Sequence, residues 1–404
     1  MNRSVEAFYI MVFMAILSLS VFSCGGSGGG SSSSNTVVIG ALLTQTGSLS
    51  SSGISASAAL DLAVGDINAY LAQQGAGFTI ALQKSDTQSD PAIALQQAKG
   101  LAASGIKIAV GPLTSGEAQS IVGWANSNGF IMVSPSSTAP SLAIAGDNLF
   151  RMTPDDTHQA SAVTFLMGND QIQAIVPIWR DDVYGNELVS TVKNDFQSAQ
   201  GEVMDGVKYD TSTTNFSAPV AALKAQVAAA VNRYGTSKVA VYMVAFEEFN
   251  DIFKPAANDA VLSSVKWYGS DSCAGDSILL GNAVAAQFAW SVNLVCPSFE
   301  ADGTSADKIS GRIAQVTGKT PDDYALAAYD ALWIIANAYM KAGVSASTAD
   351  LKSAIVSVAD SYYGATGVTE LNNAGDRAYG FYSFWQVYKD GGGYFWTSMS
   401  GVVR

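Results

Sequence analysis

A loop gives way to a helix in the stretch Ser85-Asp-Thr-Gln-Ser-Asp-Pro-Ala-Ile-Ala-Leu-Gln-Gln-Ala-Lys99, which follows an apolar run at residues 78–82. Within it, Asp90 is of a type preferred at a helix N-cap, and Pro91 suits the first helical position. An apolar run that ends in a polar loop and restarts as a helical pattern is typical of a βα unit. The stretch therefore predicts one unit of a parallel α/β sheet.

The same alternation continues along the chain. Further apolar runs start near Val37, Ile106, Phe130, Ile172, Val239, Val265 and Val292. The series pauses at residues 148–155 before it resumes, and 404 residues exceed what one hydrophobic core usually supports. We therefore expect two lobes, each built on a parallel sheet with right-handed crossover helices.

A long helix is expected over residues 322–342. One stripe of this helix carries Tyr324, Ala328, Leu332, Ile335 and Tyr339. Aromatic and aliphatic residues at helical spacing are ordinary packing, so we interpret the stripe as core rather than as part of a cofactor site.

The charge composition argues against a nucleic-acid partner. Only 14% of the residues are charged, and 34 acidic residues outnumber 21 basic ones. Binding to phosphates needs basic stripes, and the sequence contains no basic cluster.

Enzymatic chemistry finds little support in the sequence. His158 is the only histidine, which excludes a multi-histidine metal site and leaves no evident Ser-His-Asp arrangement. A Gly-x-Ser-x-Gly match falls at residues 25–29, in a flexible segment that has no strand-to-helix turn. No phosphate-binding or calcium-binding loop motif occurs. We therefore expect that the protein is not an enzyme and binds no cofactor or metal. The alternative is catalysis by a pair of Asp or Glu side chains.

The N-terminus has the pattern of an export signal. Arg3 precedes an apolar run at residues 7–22 that is short for a membrane span. The run ends in Val21-Phe-Ser-Cys24, which resembles the lipobox of prokaryotic lipoproteins. That resemblance implies a signal peptide at residues 1–23 and lipidation of Cys24; an ordinary signal with a chance cysteine is the alternative.

A flexible tether is expected to follow the lipidated cysteine. Residues 24–36 are rich in Gly and Ser, a composition that behaves as random coil. The globular body would then lie outside the cytoplasm, in the periplasm or at the cell surface, held to the membrane by its lipid.

Cys273 and Cys296 remain as an even pair once Cys24 is assigned to lipid. In an oxidising compartment a disulfide between them is reasonable. Two separate buried thiols are the alternative, because sequence does not give the Cα separation that a disulfide requires.

Hydroxyl side chains follow the strand ends of the first half. Ser115, Ser137 and Thr138 lie where backbone N–H groups at a helix N-terminus can hold an anion. Together they could bind a carboxylate through charge-assisted hydrogen bonds. Taken singly, each of them favours simple helix capping, whereas three such loops at one sheet edge together favour binding.

The second half offers acidic and aromatic side chains at the equivalent strand ends. Asp271 could pair with a ligand ammonium, since a buried charge needs a partner. Tyr184 and Phe246 could form walls for the apolar part of the ligand, or they could be core residues. One lobe suited to a carboxylate and one suited to an ammonium together fit a zwitterion.

Ten segments carry a resemblance to a known family. From Val37 to about Asp390 the chain resembles the type I periplasmic binding proteins of the leucine/isoleucine/valine-binding family, which are the substrate-binding components of branched-chain amino acid ABC importers. The segments are Ile39-Gly-Ala-Leu-Leu-Thr-Gln-Thr-Gly47, Ala63-Val-Gly-Asp-Ile-Asn68, Gln88-Ser-Asp-Pro-Ala92, Gly111-Pro-Leu-Thr-Ser-Gly116, Ser134-Pro-Ser-Ser-Thr138, Phe150-Arg-Met-Thr-Pro154, Asp181-Asp-Val-Tyr-Gly185, Thr214-Asn-Phe-Ser217, Tyr268-Gly-Ser-Asp271 and Ala328-Tyr-Asp-Ala-Leu332.

The resemblance implies two Rossmann-like lobes joined by a three-segment hinge. The N-terminal lobe would comprise residues 37–152 and 299–378, and the C-terminal lobe residues 153–298 and 379–404. The protein would be a monomer that captures a small, branched-chain-like amino acid or related carboxylate in the interlobe cleft and passes it to an ABC permease. A ligand-sensing module for a signalling receptor, or a binder of amides, urea or aromatic acids, is the alternative.

The resemblance also assigns roles to residues. Ser115, Ser137 and Thr138 would hold the ligand carboxylate, Asp271 would hold the ammonium, and the aromatic walls are the two already named.

Two positions depart from the family pattern. Ser52-Gly53 stands where many relatives have a tyrosine before the glycine, and Phe246-Glu247 stands where an amino-acid-binding relative often has a tyrosine. Both positions bear on which side chain the ligand carries.

Overall fold

The fold is described from a computed structural model, in which residues 35–403 are described. The predicted signal peptide and the lipidation of Cys24 lie outside the described residues, as does most of the tether. Its last residues differ from the prediction, because the first strand already begins at Asn35 rather than after residue 36.

The strands alternate with helices along most of the described chain. The strands are β1 (Asn35–Leu43), β2 (Phe78–Asp86), β3 (Ile108–Val110), β4 (Ile131–Ser134), β5 (Leu149–Arg151), β6 (Ala174–Arg180), β7 (Glu202–Val203), β8 (Val207–Tyr209), β9 (Val239–Val244), β10 (Lys266–Gly269), β11 (Val295–Glu300), β12 (Tyr363–Gly364), β13 (Gly367–Val368), β14 (Phe381–Asp390) and β15 (Gly393–Val403). The helices are α1 (Ser50–Gln73), α2 (Pro91–Ala103), α3 (Ser115–Asn128), α4 (Asp156–Asn169), α5 (Val183–Ser198), α6 (Ser217–Tyr234), α7 (Phe249–Ala256), α8 (Ser277–Gly281), α9 (Ala283–Ser291), α10 (Ala306–Thr317), α11 (Asp323–Ala342) and α12 (Thr348–Ala359).

The first sheet has the order β2-β1-β3-β4-β5, and all its pairs are parallel. Both of its faces are covered, because Ile39 and Ala41 of β1 lie in one apolar cluster while Leu42 lies in another. Strands buried on both faces read as continuous apolar runs, which is why the sequence showed them clearly. The helix after β2 begins as predicted, with the side chain of Asp90 accepting hydrogen bonds from two backbone N–H groups and with Pro91 at the first position.

The second sheet has the order β15-β14-β11-β10-β9-β6-β7, and β8 also pairs with β6. Its central strands, β6, β9, β10 and β11, are parallel. The C-terminal hairpin of β14 and β15 adds an antiparallel edge that the sequence did not predict. The two parallel-sheet lobes of the predicted fold class are therefore confirmed, with this addition.

The chain passes between the two sheets three times. It leaves the first sheet after β5 and enters the second at β6; it leaves again after β11 and returns at β14. The intervening helices pack on the first lobe, since α10 and α11 contact α1. β11 continues to Glu300 in the second sheet, so the predicted lobe boundary after residue 298 falls inside this strand.

The sulfur atoms of Cys273 and Cys296 form a disulfide in the second lobe. They lie 2.20 Å apart, with a Cα separation of 6.3 Å, which is within the range for this bond. Of the two alternatives that the sequence left open, the structure contains the bonded form. Gly269 makes room for it, because a Cβ at this position would lie 2.2 Å from the sulfur of Cys273. Within residues 35–403, no helix has the length and apolarity to cross a bilayer.

Candidate functional site

A cavity of about 230 Å³ lies between loops of the two sheets. The first lobe contributes the N-terminal ends of α1 and α3, and the second lobe contributes the loops that follow β9 and β10. Ligands of open parallel sheets bind outside the carboxyl ends of the strands, which is where these loops lie.

Four of the six predicted ligand-binding residues line this cavity. Ser115 comes from the first lobe, and Tyr184, Phe246 and Asp271 come from the second. The structure thus brings the predicted carboxylate end and the predicted ammonium end to one space. Their roles toward a ligand remain predictions.

The Ser115 hydroxyl lies at the start of α3 with its proton available. Its Oγ accepts hydrogen bonds from the backbone N–H of Thr138 at 3.0 Å and of Ala139 at 3.1 Å. A serine hydroxyl that accepts two bonds still has its own proton to donate. The helix begins with a capping box formed by Thr114 and Glu117, which fixes this turn. The arrangement suits an acceptor such as a carboxylate oxygen in the cavity.

The side chains of Ser137 and Thr138 are not part of the cavity lining, contrary to the prediction. Thr138 donates its hydroxyl proton to Asp156 at 3.0 Å, and Ser137 is fully buried with no hydrogen-bond partner for its Oγ among the described residues. Ser136 lines the cavity instead. Sequence patterns place all three residues in one loop, but they do not show which side chain the loop turns inward.

A buried ion pair stabilises this loop by hydrogen bonds to its backbone carbonyls. Arg151 donates to Asp376 through Nε at 2.5 Å and through Nη2 at 2.6 Å, and both side chains are almost fully buried. Arg151 also donates to the backbone carbonyls of Ser137 at 3.2 Å and Ala139 at 2.9 Å. The pair therefore fixes the loop that lies against Ser115, and no sequence motif predicts it.

Both carboxylate oxygens of Asp271 accept hydrogen bonds within the site. It is only 6% exposed, and its Oδ1 accepts from the hydroxyl of Tyr184 at 2.5 Å and from the backbone N–H of Ser272 at 2.9 Å. Its Oδ2 accepts from the hydroxyl of Tyr324. Burial, together with the negative charge of Asp271, raises the pKa of both phenols well above the usual value, so they remain donors. A carboxylate has further acceptor capacity and can still bind an ammonium.

Tyr324 belongs to the apolar core, as the helix stripe predicts, and it also lines the cavity. Its hydroxyl donates to Asp271. Tyr324 lies in the first turn of α11, two positions after the N-cap Asp322, so the start of the helix faces the site. Helix periodicity predicts the buried stripe but does not show that one of its residues also borders a cavity.

Phe246 forms a rigid wall of the cavity. Its ring stacks on Tyr184 with a centroid separation of 5.3 Å, and the guanidinium of Arg180 lies 3.6 Å from the ring centroid. Arg180 is itself paired with Asp182 and Glu248, each at 2.6 Å. The positive charge near this wall is therefore already compensated by two acids.

A hydrogen-bonded chain links the two predicted ends of the site. The hydroxyl of Thr138 donates to Asp156, Gln159 donates to the same carboxyl at 2.9 Å, and the backbone N–H of Asp271 donates to Gln159 at 2.9 Å. Asp156 is fully buried, and this burial together with the negative charge of Asp271 raises its pKa well above the usual value. Thr138 therefore connects the first-lobe loop to Asp271 instead of lining the cavity.

The two positions that depart from the family pattern both make hydrogen bonds near the N-terminus of α1. Glu247 accepts from the backbone N–H of Ser51 at 2.6 Å and from the hydroxyl of Ser50 at 3.1 Å, both at the N-terminus of α1. Ser52 donates its hydroxyl proton to Asp322 at 2.5 Å. Gly53 is needed there, because a Cβ would lie 2.0 Å from the carbonyl oxygen of Thr44. In residues 35–403, no cluster of His, Cys, Asp and Glu could hold a metal.

Two α/β lobes around a cavity lined from both sides have the architecture of a protein that binds a ligand between its lobes. Residues 55–390 match the family model described as "Receptor family ligand binding region". The chain belongs to this family.

Two proteins are similar to this chain in sequence. "Uncharacterized protein MJ1266" of Methanocaldococcus jannaschii is 28% identical over 388 residues, which is 91% of this chain and 91% of that protein. "Leu/Ile/Val-binding protein homolog 3" of Brucella melitensis is 28% identical over 193 residues, 46% of this chain and 51% of its own length. The match therefore spans about half of that named relative.

A solved structure shares the fold. The branched-chain amino acid transporter substrate-binding protein LivJ from Streptococcus pneumoniae, in complex with isoleucine, superposes with a TM-score of 0.71 at 20% identity. The match covers 90% of this chain and 100% of LivJ. At this identity the likeness concerns the fold.

Proposed function

We propose that this protein binds an α-amino acid or a related carboxylate between its lobes and delivers it to an ABC permease in the membrane. The observation that carries the proposal is the approach of Ser115 and Asp271 to one cavity from opposite lobes. The first offers a hydroxyl proton beside a helix N-terminus for a carboxylate, and the second offers a buried carboxylate for an ammonium. A zwitterion satisfies both at once.

Closure of the lobes follows from this division of the site. Each lobe alone contacts only one end of the ligand, so the ligand binds the closed form more strongly than the open form. That difference in affinity is what drives closure. The hinge comprises the three chain passages between the sheets, which lie after β5, after β11 and before β14.

The names of the relatives support a ligand of this class. The Brucella melitensis relative is named for leucine, isoleucine and valine, and the LivJ structure contains isoleucine. Leucine, isoleucine and valine all have the carboxylate and the ammonium for which Ser115 and Asp271 are proposed here.

Export and lipid anchoring through Cys24 complete the proposal. A membrane-tethered binding protein stays close to the permease that it supplies. Cys24→Ser is expected to move the protein from the membrane fraction to the soluble fraction in its host. Retention of this variant in the membrane fraction would contradict the anchor without affecting the binding proposal.

Titration calorimetry with a panel of amino acids tests the binding proposal. Asp271→Asn is expected to weaken amino-acid binding at least about tenfold, because removing one partner of a buried charge pair costs roughly 2–5 kcal/mol. Asp251→Asn is the matched control, since Asp251 lies in the same lobe at 44% side-chain exposure and pairs only with Lys254. Unchanged affinity in Asp271→Asn would refute the assignment of the ammonium.

A further inference from the structure

The disulfide between Cys273 and Cys296 attaches one wall of the cavity to β11. Residues 271–277, which we call the acid loop because it begins at Asp271, follow β10, and six of these seven residues line the cavity. The exception is Cys273, which is fully buried and packs in an apolar cluster of the second lobe. The disulfide therefore holds the acid loop at the one residue that does not line the cavity.

The two sulfur atoms lie close to the chain on both sides of Asp271. Asp271 and Cys273 are the first and last residues of a single 3-10 turn. Two residues before Asp271, a Cβ on Gly269 would lie 2.2 Å from the sulfur of Cys273 and 2.7 Å from that of Cys296. Both sulfur atoms thus pack against the end of β10. The position of the Asp271 backbone therefore depends on the disulfide from two directions.

The other half of the disulfide lies in the strand that leads out of the second lobe. Cys296 is the second residue of β11, after which the chain passes to the first lobe. The backbone pairing of β10 with β11 is confined to Tyr268 and Val295, so it ends before the acid loop begins. Ser298 of the same strand also lines the cavity. The disulfide thus connects two parts of the cavity wall beyond the end of the backbone pairing.

Hydrogen bonds also hold the acid loop, mainly at its two ends. Tyr184 and Tyr324 donate to Asp271, as described above. At the other end, the indole N–H of Trp396 donates to the backbone carbonyl of Asp276 at 2.8 Å. Because Tyr324 belongs to the first lobe, its hydrogen bond requires the closed arrangement of the lobes. The disulfide lies within the second lobe, so its constraint on the middle of the loop does not depend on closure.

We propose that this disulfide positions Asp271 for the ligand ammonium, in addition to stabilising the second lobe. The inference rests on the proposed function, in which Asp271 pairs with the α-ammonium. A binding site works only when the surrounding residues hold its polar groups near the productive geometry, and a displacement of about 1 Å is enough to impair it. Cys273 and Cys296 are therefore positioning residues that do not themselves contact the ligand.

Calorimetry with L-leucine tests the inference on the full-length protein and on Cys273→Ala combined with Cys296→Val, since valine suits a strand position. We expect this double variant to bind leucine about tenfold more weakly than the wild type, an effect within the range for coupled neighbours. Wild-type protein reduced with dithiothreitol, which converts the bond to two thiols, gives the same comparison without a substitution.

Leu223→Ala is the control for a general loss of stability. Leu223 is fully buried in the same lobe and lies on α6, which packs against β6, β8 and β9. Its truncation destabilises the lobe by leaving a cavity in the core. At a temperature at which urea titrations show every variant to be folded, Leu223→Ala should bind leucine as the wild type does. Equal affinities of Leu223→Ala and the disulfide-free variant would overturn the inference.

Asp271→Asn in both backgrounds separates positioning from stability. With the disulfide present, this substitution is expected to weaken binding at least about tenfold. Without the disulfide it should weaken binding about threefold or less, because a displaced carboxylate has less interaction to lose. An equal loss in the two backgrounds would overturn the inference while leaving the proposed function intact.

Hydrogen exchange of the ligand-free proteins gives a result that does not depend on leucine. Loss of the disulfide should accelerate exchange of the backbone amides of the acid loop at least about tenfold relative to those of α12 in the first lobe. Unchanged exchange in the acid loop would overturn the inference. Absence of leucine binding by the wild type would count against the proposed function alone, and the exchange rates would still decide whether the disulfide holds Asp271 in place.

Discussion

Glu117 lies in the first turn of α3, beside the predicted carboxylate site, and it is completely buried. Its side chain accepts from the backbone N–H of Thr114 at 3.1 Å, while the hydroxyl of Thr114 accepts from the backbone N–H of Glu117 at 3.2 Å. Burial raises the pKa of this carboxyl from its ordinary value of 4.5 to about 7, because the hydrogen bonds offset only part of the desolvation. The folded protein therefore holds a proton on Glu117 at a pH where the unfolded chain has lost it.

This difference makes stability depend on pH in a definite direction. A raised folded pKa favours the folded state fully below about pH 4.5, and that contribution is lost as the pH rises through about 7. Between about pH 5.5 and about pH 8.5 the loss from this one group amounts to about 2 kcal/mol. Glu117→Gln removes the titration but keeps the capping box, since glutamine accepts the same hydrogen bond.

Urea unfolding of the wild-type protein and Glu117→Gln at the two pH values isolates this contribution. Other buried carboxyls titrate in the same range, such as Asp323 with a pKa raised by burial to about 7. The informative quantity is therefore the difference in unfolding free energy between variant and wild type. We expect this difference to shift by about 2 kcal/mol toward the variant on going from the lower to the higher pH. A difference that stays constant with pH would refute the reasoning.

Three further predictions concern the site and its support. Asp376→Asn should lower the free energy of unfolding by about 3–5 kcal/mol, because it leaves a buried arginine unpaired. The control Asp251→Asn, in an exposed ion pair, should lower it by less than about 1 kcal/mol. Comparable losses for the two variants in urea titrations would contradict this prediction. Ser115→Ala should weaken amino-acid binding about tenfold by calorimetry, as expected for one lost hydrogen bond to a charged group; equal wild-type affinity for an amino acid and its amide would count against the carboxylate role. Reduction of the bond between Cys273 and Cys296, 23 residues apart, should destabilise the protein by about 3 kcal/mol, and an unchanged melting temperature would argue against that.

Most of the fold was accessible from sequence because its parallel strands are buried on both faces. The run near Val239 coincides with the start of β9, and the run near Phe130 precedes β4 by one residue. The C-terminal hairpin was missed because it lies at a sheet edge. There the buried residues Tyr382 and Phe384 are interspersed with polar ones such as Ser383 and Gln386, which gives a weaker signal than a continuous apolar run.

The sequence predicted those residues of the candidate site that directly follow a strand, because the strand ends determine where they lie. Ser115 and Asp271 both follow parallel strands, so their approach to one edge of each sheet follows from topology. Tyr324 was not predictable in this way, because a residue on the buried stripe of a helix can face either a core or a cavity. The orientation of Ser136, Ser137 and Thr138 was also hidden, since it depends on Arg151 holding two carbonyls of their loop from a strand later in the chain.

The departures at Ser52 and Glu247 both place a hydrogen bond to a carboxylate at the N-terminal end of α1. Ser52 donates to Asp322 within the first lobe, whereas Glu247 of the second lobe accepts from the backbone N–H of Ser51. A carboxylate at a helix N-terminus is favoured by the helix dipole. Glu247 therefore links the second lobe to the first across the cleft, whereas Ser52 strengthens the contact between two helices of one lobe.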